Sequence, residues 1–183
     1  MKCLSVKQPW AGLIQQGPKI IETRTWATPY RGDLVIVSSK KPVFDENIWQ
    51  CPSCFSFGTK DDFDVCGAQE GKTFCNKCNR EVQAYIVDAS AGGVTMCVAK
   101  LVDCRPMTLL DQPAARCGFY TGAFAWVLED IRKMLPSPVR GALGIFEKKV
   151  PGVCRVCGCT DGQACPGGCE WADENETICS RCV

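Results

Sequence analysis

A chain of 183 residues with 46% hydrophobic and 22% charged residues suits one ordinary domain plus small modules, which excludes a disordered polypeptide. A net charge of +1 excludes a general polyanion binder, and the absence of histidine removes the side chain that most often acts as a general base. The sixteen cysteines are the outlying count, and they organise the rest of the reading.

The first residues, Met1-Lys2-Cys3-Leu4-Ser5-Val6-Lys7, lack the apolar core of a signal peptide. No apolar run approaches the roughly 20 residues of a membrane span. The expectation is a cytoplasmic protein with no membrane partner, whose cysteines meet a reducing compartment and ligate metal instead of forming disulfides. Pro9 opens a predicted short helix over 9–16, with Trp10, Leu13 and Ile14 on one face and Gly17 as its stop. Residues 19–26 read as a strand rich in Ile and Thr. Strict alternation puts Ile20, Glu22, Arg24 and Trp26 on one side, with Ile21, Thr23 and Thr25 on the other. Lys19 has the opposite parity and joins Glu22 and Arg24 only if the chain turns at 17–19, which a glycine allows. Tyr30-Arg31-Gly32-Asp33 is turn-like, and Leu34-Val35-Ile36-Val37 fits a fully buried strand.

Composition then changes. Residues 42–83 carry five cysteines, a charged stretch over 60–64 and little periodicity, as an inserted zinc ribbon would. Strand signals resume at 84–87 and continue at 95–102, 123–128 and 144–146. Several short strands, few helices and frequent Gly and Pro turns indicate a mainly β protein, a small barrel or curled sheet over 1–41 and 84–149. Residues 150–183 then form a second cysteine-rich module.

Eight cysteines fall into four C-x-x-C pairs, in two copies of a pair, a spacer of 20 or 21 residues, and a second pair. Each pair sets two thiolates on one knuckle, and two knuckles complete a tetrahedron of sulfur around Zn²⁺. Cys51, Cys54, Cys75 and Cys78 are therefore expected to hold one zinc ion, and Cys154, Cys157, Cys179 and Cys182 another. Closed four-sulfur sites leave no position for water, so these metals are structural. Cys159, Cys165 and Cys169 remain, to bind a third ion with Asp161 or a shared thiolate, or to stay unliganded. Four cysteines would also satisfy an iron–sulfur cluster, but paired knuckles match zinc better. Cys66 is surplus, and Cys3, Cys97, Cys104 and Cys117 read as small core residues.

Charge is uneven along the chain. Residues 1–41 hold seven basic side chains against Glu22 and Asp33, whereas residues 150–183 hold two basic side chains against five acidic ones. Glu22 and Arg24 share a strand face and can pair, presenting the guanidinium as a fixed fork to a phosphate or a base edge. Lys19 would neutralise a phosphate or act as a base, and Lys40 would contact another phosphate. Trp10 and Trp26 offer stacking surfaces for an unstacked base. The same residues would equally serve as core and as an ion pair closing the barrel.

Lys7-Gln8-Pro9-Trp10-Ala11, followed by Gly17-Pro18-Lys19-Ile20-Ile21-Glu22-Thr23-Arg24, resembles the ASCH family, whose signature is a P-W segment and then G-x-K-x-x-E-x-R. Gly122-Ala123-Phe124-Ala125-Trp126-Val127-Leu128, with Pro136, Pro138, Arg140-Gly141 and Leu143-Gly144, is similar to the closing strands of such domains. The resemblance implies a barrel like the PUA fold, a working cleft beside the signature strand, and RNA or a modified nucleotide as partner. It also implies an alternative, a small hydrolase of acylated cytidine or an RNA-cleaving enzyme using Lys19, Glu22 and Arg24. The glycine, lysine and arginine of that hydrolase pattern correspond to Gly17, Lys19 and Arg24, but Glu22 stands where the hydrolases have a threonine nucleophile. A third expectation is an adaptor in which the zinc modules, the acidic tail above all, dock a protein partner.

Overall fold

Twelve strands, two short α-helices and two 3₁₀ turns are formed among the residues that the computed structural model describes, 1–40, 47–66, 72–90 and 92–183. Six strands make one curled sheet: β1 (Lys2–Val6), β2 (Ile21–Arg24), β3 (Gly32–Ser38), β10 (Thr95–Pro106), β11 (Phe124–Lys133) and β12 (Ile145–Glu147). Their order is β12-β1-β3-β10-β11-β2, antiparallel at every step except the parallel pair β1–β3. The parallel pair requires a crossover, which α1 (Trp10–Gln16) and β2 supply.

β3 shows why a continuous apolar run appears in the sequence: both of its faces are covered. Leu34 and Ile36 enter the main core with Leu4, Leu101, Trp126, Leu128 and the α1 residues Ala11 and Ile14. Val35 and Val37 face a second cluster with Cys3, Val98, Met134, Val150 and Val153. The last two of these residues introduce the C-terminal module, so that module lids the outer face of the sheet.

The inserted segment builds two small three-stranded sheets. One has the order β5-β4-β9, from β4 (Asn47–Gln50), β5 (Phe57–Gly58) and β9 (Tyr85–Asp88). The other has the order β6-β7-β8, from β6 (Phe63–Cys66), β7 (Lys72–Cys75) and β8 (Arg80–Glu81). The strand expected over 84–87 therefore exists but pairs with Asn47–Gln50 instead of joining the six-stranded sheet. Alternation identifies a strand without naming its neighbour. Gln16 Nε2 donates to the Ile86 carbonyl at 3.0 Å, and Gln50 Nε2 donates to the Arg116 carbonyl at 3.0 Å, fastening this sheet to α1 and to the end of α2 (Gln112–Ala115).

The C-terminal module has no strands and is held by polar contacts to β11. Arg132 is buried, lies 2.7 Å from Asp33 and donates to the Gly158 carbonyl. Thr160 Oγ1 donates to the Lys133 carbonyl at 2.6 Å, and Asp161 accepts the Leu135 N–H at 3.0 Å. Gly158 has φ +73°, and a Cβ there would collide with Arg132 and Asp33. Among the described residues no helix is long and apolar enough to cross a membrane.

A clamp at the end of β10 sets the course of the chain into α2. Arg105 donates to both oxygens of Asp111, at 2.8 and 2.7 Å, and Asp111 also accepts the N–H and hydroxyl of Thr108. The Arg105 guanidinium holds the Asp111 carboxyl well below the usual carboxylate range. A depressed folded-state value means the contribution is present above the unfolded value of about 3.9 and fades as pH falls beneath it. Asp111→Asn should therefore lower the urea midpoint by a constant amount between about pH 5 and 8, with the gap to wild type closing below about pH 4. A gap that stayed open at low pH would show that the charge of Asp111 contributes nothing.

Candidate functional site

The cleft is set by the way α1 ends. Gly17 caps the helix at φ 99°, in the left-handed region, and donates to the Ile14 carbonyl at 3.0 Å. The chain then stays irregular for three residues, with the Lys19 N–H on the Leu13 carbonyl and the Ile20 N–H on the Ala114 carbonyl. β2 consequently begins at Ile21, not at 19, and Lys19 escapes strand parity. Its ammonium runs back beneath the strand, donating to the carbonyls of Ile21 and Ala115 at 2.7 Å each and lying 3.3 Å from Glu22 Oε2.

Glu22 is thereby shared between two cations. Arg24 Nη2 lies 3.2 Å from Glu22 Oε1 and donates to the Ser5 carbonyl of β1 at 2.7 Å. β2 is an edge strand, so this contact ties it across the open side of the curled sheet. Lys19 is 1% exposed and Glu22 7%. Charges so buried persist only when paired and hydrogen-bonded, because dehydrating each ion is unfavourable by roughly several kcal/mol.

Lys19, Glu22 and Arg24 line a pocket of about 450 Å³ together with Trp10. That volume falls within the roughly 300–1,000 Å³ of small-molecule sites. Arg24 Nε and Ser5 Oγ, both on lining residues, are buried with no hydrogen-bond partner among the described residues. Polar atoms left in this state ask for a ligand or solvent to complete them.

The other sequence candidates lie elsewhere. β2 ends at Arg24, so alternation does not carry Trp26 to the pocket. Its ring meets Trp126 edge-on at 4.6 Å, and its carbonyl accepts from Trp126 Nε1 at 3.2 Å. Lys40 is exposed and outside the lining, and Lys41 lies outside the described residues. Ser5, Lys7, Cys117, Tyr120 and Leu143 line the pocket although sequence reasoning did not single them out for it. Lys7 adjoins the P-W pair and was findable; Ser5 comes from β1, Cys117 and Tyr120 from the segment after α2, and Leu143 from the segment before β12, and no local signal points any of these four at the cleft. Cys117, expected as a core residue, is half-buried on the pocket wall, with Sγ 3.8 Å from Thr23 Oγ1. Cys3 and Cys97 are core residues, and burial pushes their thiols up to about 11 and about 12.

The cysteine clusters have the dimensions of metal sites. The sulfurs of Cys51, Cys54, Cys75 and Cys78 lie within 4.8 Å of one another, with Cys51–Cys78 and Cys54–Cys75 both at 3.8 Å. A tetrahedron with zinc–sulfur bonds of roughly 2.3 Å has edges of about 3.8 Å. Cys154, Cys157, Cys179 and Cys182 form a second group within the same limit, with Cys157–Cys179 at 3.7 Å. Each group could hold an ion of Zn²⁺ type. Cys66 ends β6, and its side chain lies outside the described ones.

Residues 4–139 match the family model described as the ASCH domain. A stretch of 41 residues is 54% identical to human activating signal cointegrator 1, covering 22% of this chain and 7% of that protein. A stretch of 39 residues is 51% identical to the mouse protein of the same name, covering 21% of the chain and 7% of the relative. The likeness to these two thus spans a small part of either partner.

Proposed function

The chain belongs to the ASCH domain family, and we propose that its cleft binds a single unstacked nucleotide of RNA, with the cysteine clusters holding structural zinc. The observation that carries this reading is the convergence of Lys19, Glu22 and Arg24 on a pocket that Trp10 and Tyr120 also line. Lys7, Lys19 and Arg24 outnumber Glu22, which suits a phosphate at the rim. An aromatic ring against a base is worth roughly 1–3 kcal/mol, and Trp10 supplies one. The Arg24 side chain, 24% exposed on the lining, can present its guanidinium to a base edge or phosphate oxygen.

Lys19 favours binding over catalysis. Its ammonium donates to two carbonyls and lies 3.3 Å from the Glu22 carboxylate, so it is anchored within the protein as a positioning charge instead of being presented to a substrate.

The test is titration of a labelled single-stranded RNA by fluorescence anisotropy, with single-stranded DNA of the same sequence and a panel of modified nucleosides as further arms. RNA should bind at low salt and weaken as salt rises. Trp10→Ala should weaken it by roughly tenfold, the equivalent of about 1.4 kcal/mol. Preference for DNA, no binding of RNA at low salt by folded protein, or an unchanged affinity in the Trp10 variant would each overturn the reading.

A further inference from the structure

We propose that the C-terminal module holds two metal ions in one thiolate-bridged cluster, with Cys157 and Cys179 shared between them. Two tetrads of sulfur overlap there. Cys154, Cys157, Cys179 and Cys182 form one, and Cys157, Cys159, Cys165 and Cys179 form the other; within each, the ligand atoms lie within 4.8 Å of one another. The common edge, Cys157–Cys179, is 3.7 Å, and Cys165 stands 3.6 Å from Cys157 and 3.9 Å from Cys179. All three distances match the edge of a tetrahedron around Zn²⁺, about 3.8 Å for bonds of roughly 2.3 Å.

Ligand supply leads to the same arrangement. The module has seven cysteines and the chain has no histidine, so two independent four-sulfur sites, which need eight thiolates, cannot be built. Asp161, the nearest alternative in the sequence, accepts the Leu135 N–H and belongs to neither tetrad. Sharing two thiolates resolves the shortage, since a thiolate sulfur has lone pairs for two metals. It also halves the anionic charge: six thiolates on two divalent ions leave a net charge of about −2, where eight would leave about −4. That matters in a module where Asp161, Glu170, Asp173, Glu174 and Glu176 face only Arg155 and Arg181.

The roles then divide cleanly. Cys154 and Cys182 are terminal ligands of one ion, Cys159 and Cys165 of the other, and Cys157 and Cys179 bridge. Cys169 is left over; its sulfur accepts the Cys165 N–H at 3.3 Å and sits 3.7 Å from Cys159, beside the second ion without being required by it. The apolar cluster of the module consists of its own cysteines and Trp171, so the second ion replaces the core that this segment lacks.

The full chain answers the question directly. Native mass spectrometry should find three zinc ions per chain, one in the insert and two in the tail. After exchange into ¹¹³Cd, two of three resonances should show mutual ¹¹³Cd–¹¹³Cd scalar coupling through the shared sulfurs, and the third should show none. Cys159→Ser should lose one ion and the coupling while leaving the insert resonance in place; Cys169→Ser should keep all three ions and the coupling. Two ions in the wild type, three without coupling, or loss of an ion in Cys169→Ser would each overturn the assignment, and the first two readouts need no variant to fold.

Discussion

Glu22→Ala is expected to destabilise the protein by roughly 3–5 kcal/mol, the range seen when one partner of a buried ion pair is removed. Lys19 would keep two carbonyl partners but no countercharge at 1% exposure, and Arg24 would lose its carboxylate as well. Shape is not the issue at this position. Glu22→Gln preserves volume and one acceptor oxygen yet leaves the ammonium unneutralised, so it should recover only part of the loss. Lys19→Met combined with Glu22→Leu should unfold later than Glu22→Ala, because an apolar pair needs no dehydrated charge. Urea midpoints of the single and double variants measure the coupling. A Glu22→Ala variant within about 1 kcal/mol of wild type would mean that water reaches Lys19 and that the pair is not buried in solution.

Removal of metal is the second large effect. Around its four cysteines the insert gathers only Phe63, Trp49, Val82 and Ala84 among the described residues, a cluster too small to serve as a core of its own. Its folding free energy must come largely from ligation, on the order of 10–16 kcal/mol for a structural zinc in a small module near pH 7. A strong chelator should therefore melt β4–β9 and the tail after Val153, while β3 and β10 remain protected by the main core. Hydrogen exchange resolves the two behaviours: amides of β7 and of residues 154–182 should exchange within minutes, and those of Leu34–Val37 should not. Cys75→Ser should reproduce the loss in the insert alone. Protection unchanged by chelation would show that the cysteine groups fold without an ion.

Much of the scaffold was legible because its signals are local. Four C-x-x-C pairs placed both cysteine tetrads, Gly17 marked the end of α1, and the uninterrupted Leu34–Val37 run announced a strand covered on both faces. The position of Lys19 was conditional on a turn at 17–19, and that turn exists. Other features were not readable, since they depend on which distant segments meet. The first residues tell the sequence reader only that they lack the apolar core of a signal peptide, although Lys2–Val6 pairs with both β3 and β12. β9 has an ordinary strand pattern, but its partner is Asn47–Gln50, which lies outside any periodic signal. The cleft suffers most from this. Cys117, Tyr120 and Leu143 join Lys19 and Arg24 through topology alone, and no spacing rule links residues some hundred positions apart.

Trp10 touches both parts of the molecule. It lines the cleft, and its ring meets Phe57 edge-on at 5.2 Å and 81°. Phe57 belongs to β5, which pairs with β4 on the far side of the Cys51–Cys54 knuckle. One wall of the cleft therefore leans on a segment that carries the Cys51, Cys54, Cys75 and Cys78 tetrad, whose order is expected to follow metal loading. On the function proposed above, zinc starvation or attack by an electrophile would abolish binding well before the six-stranded sheet opened. The domain could then be silenced while intact, and restored by resupplying the ion without any need to make the chain anew.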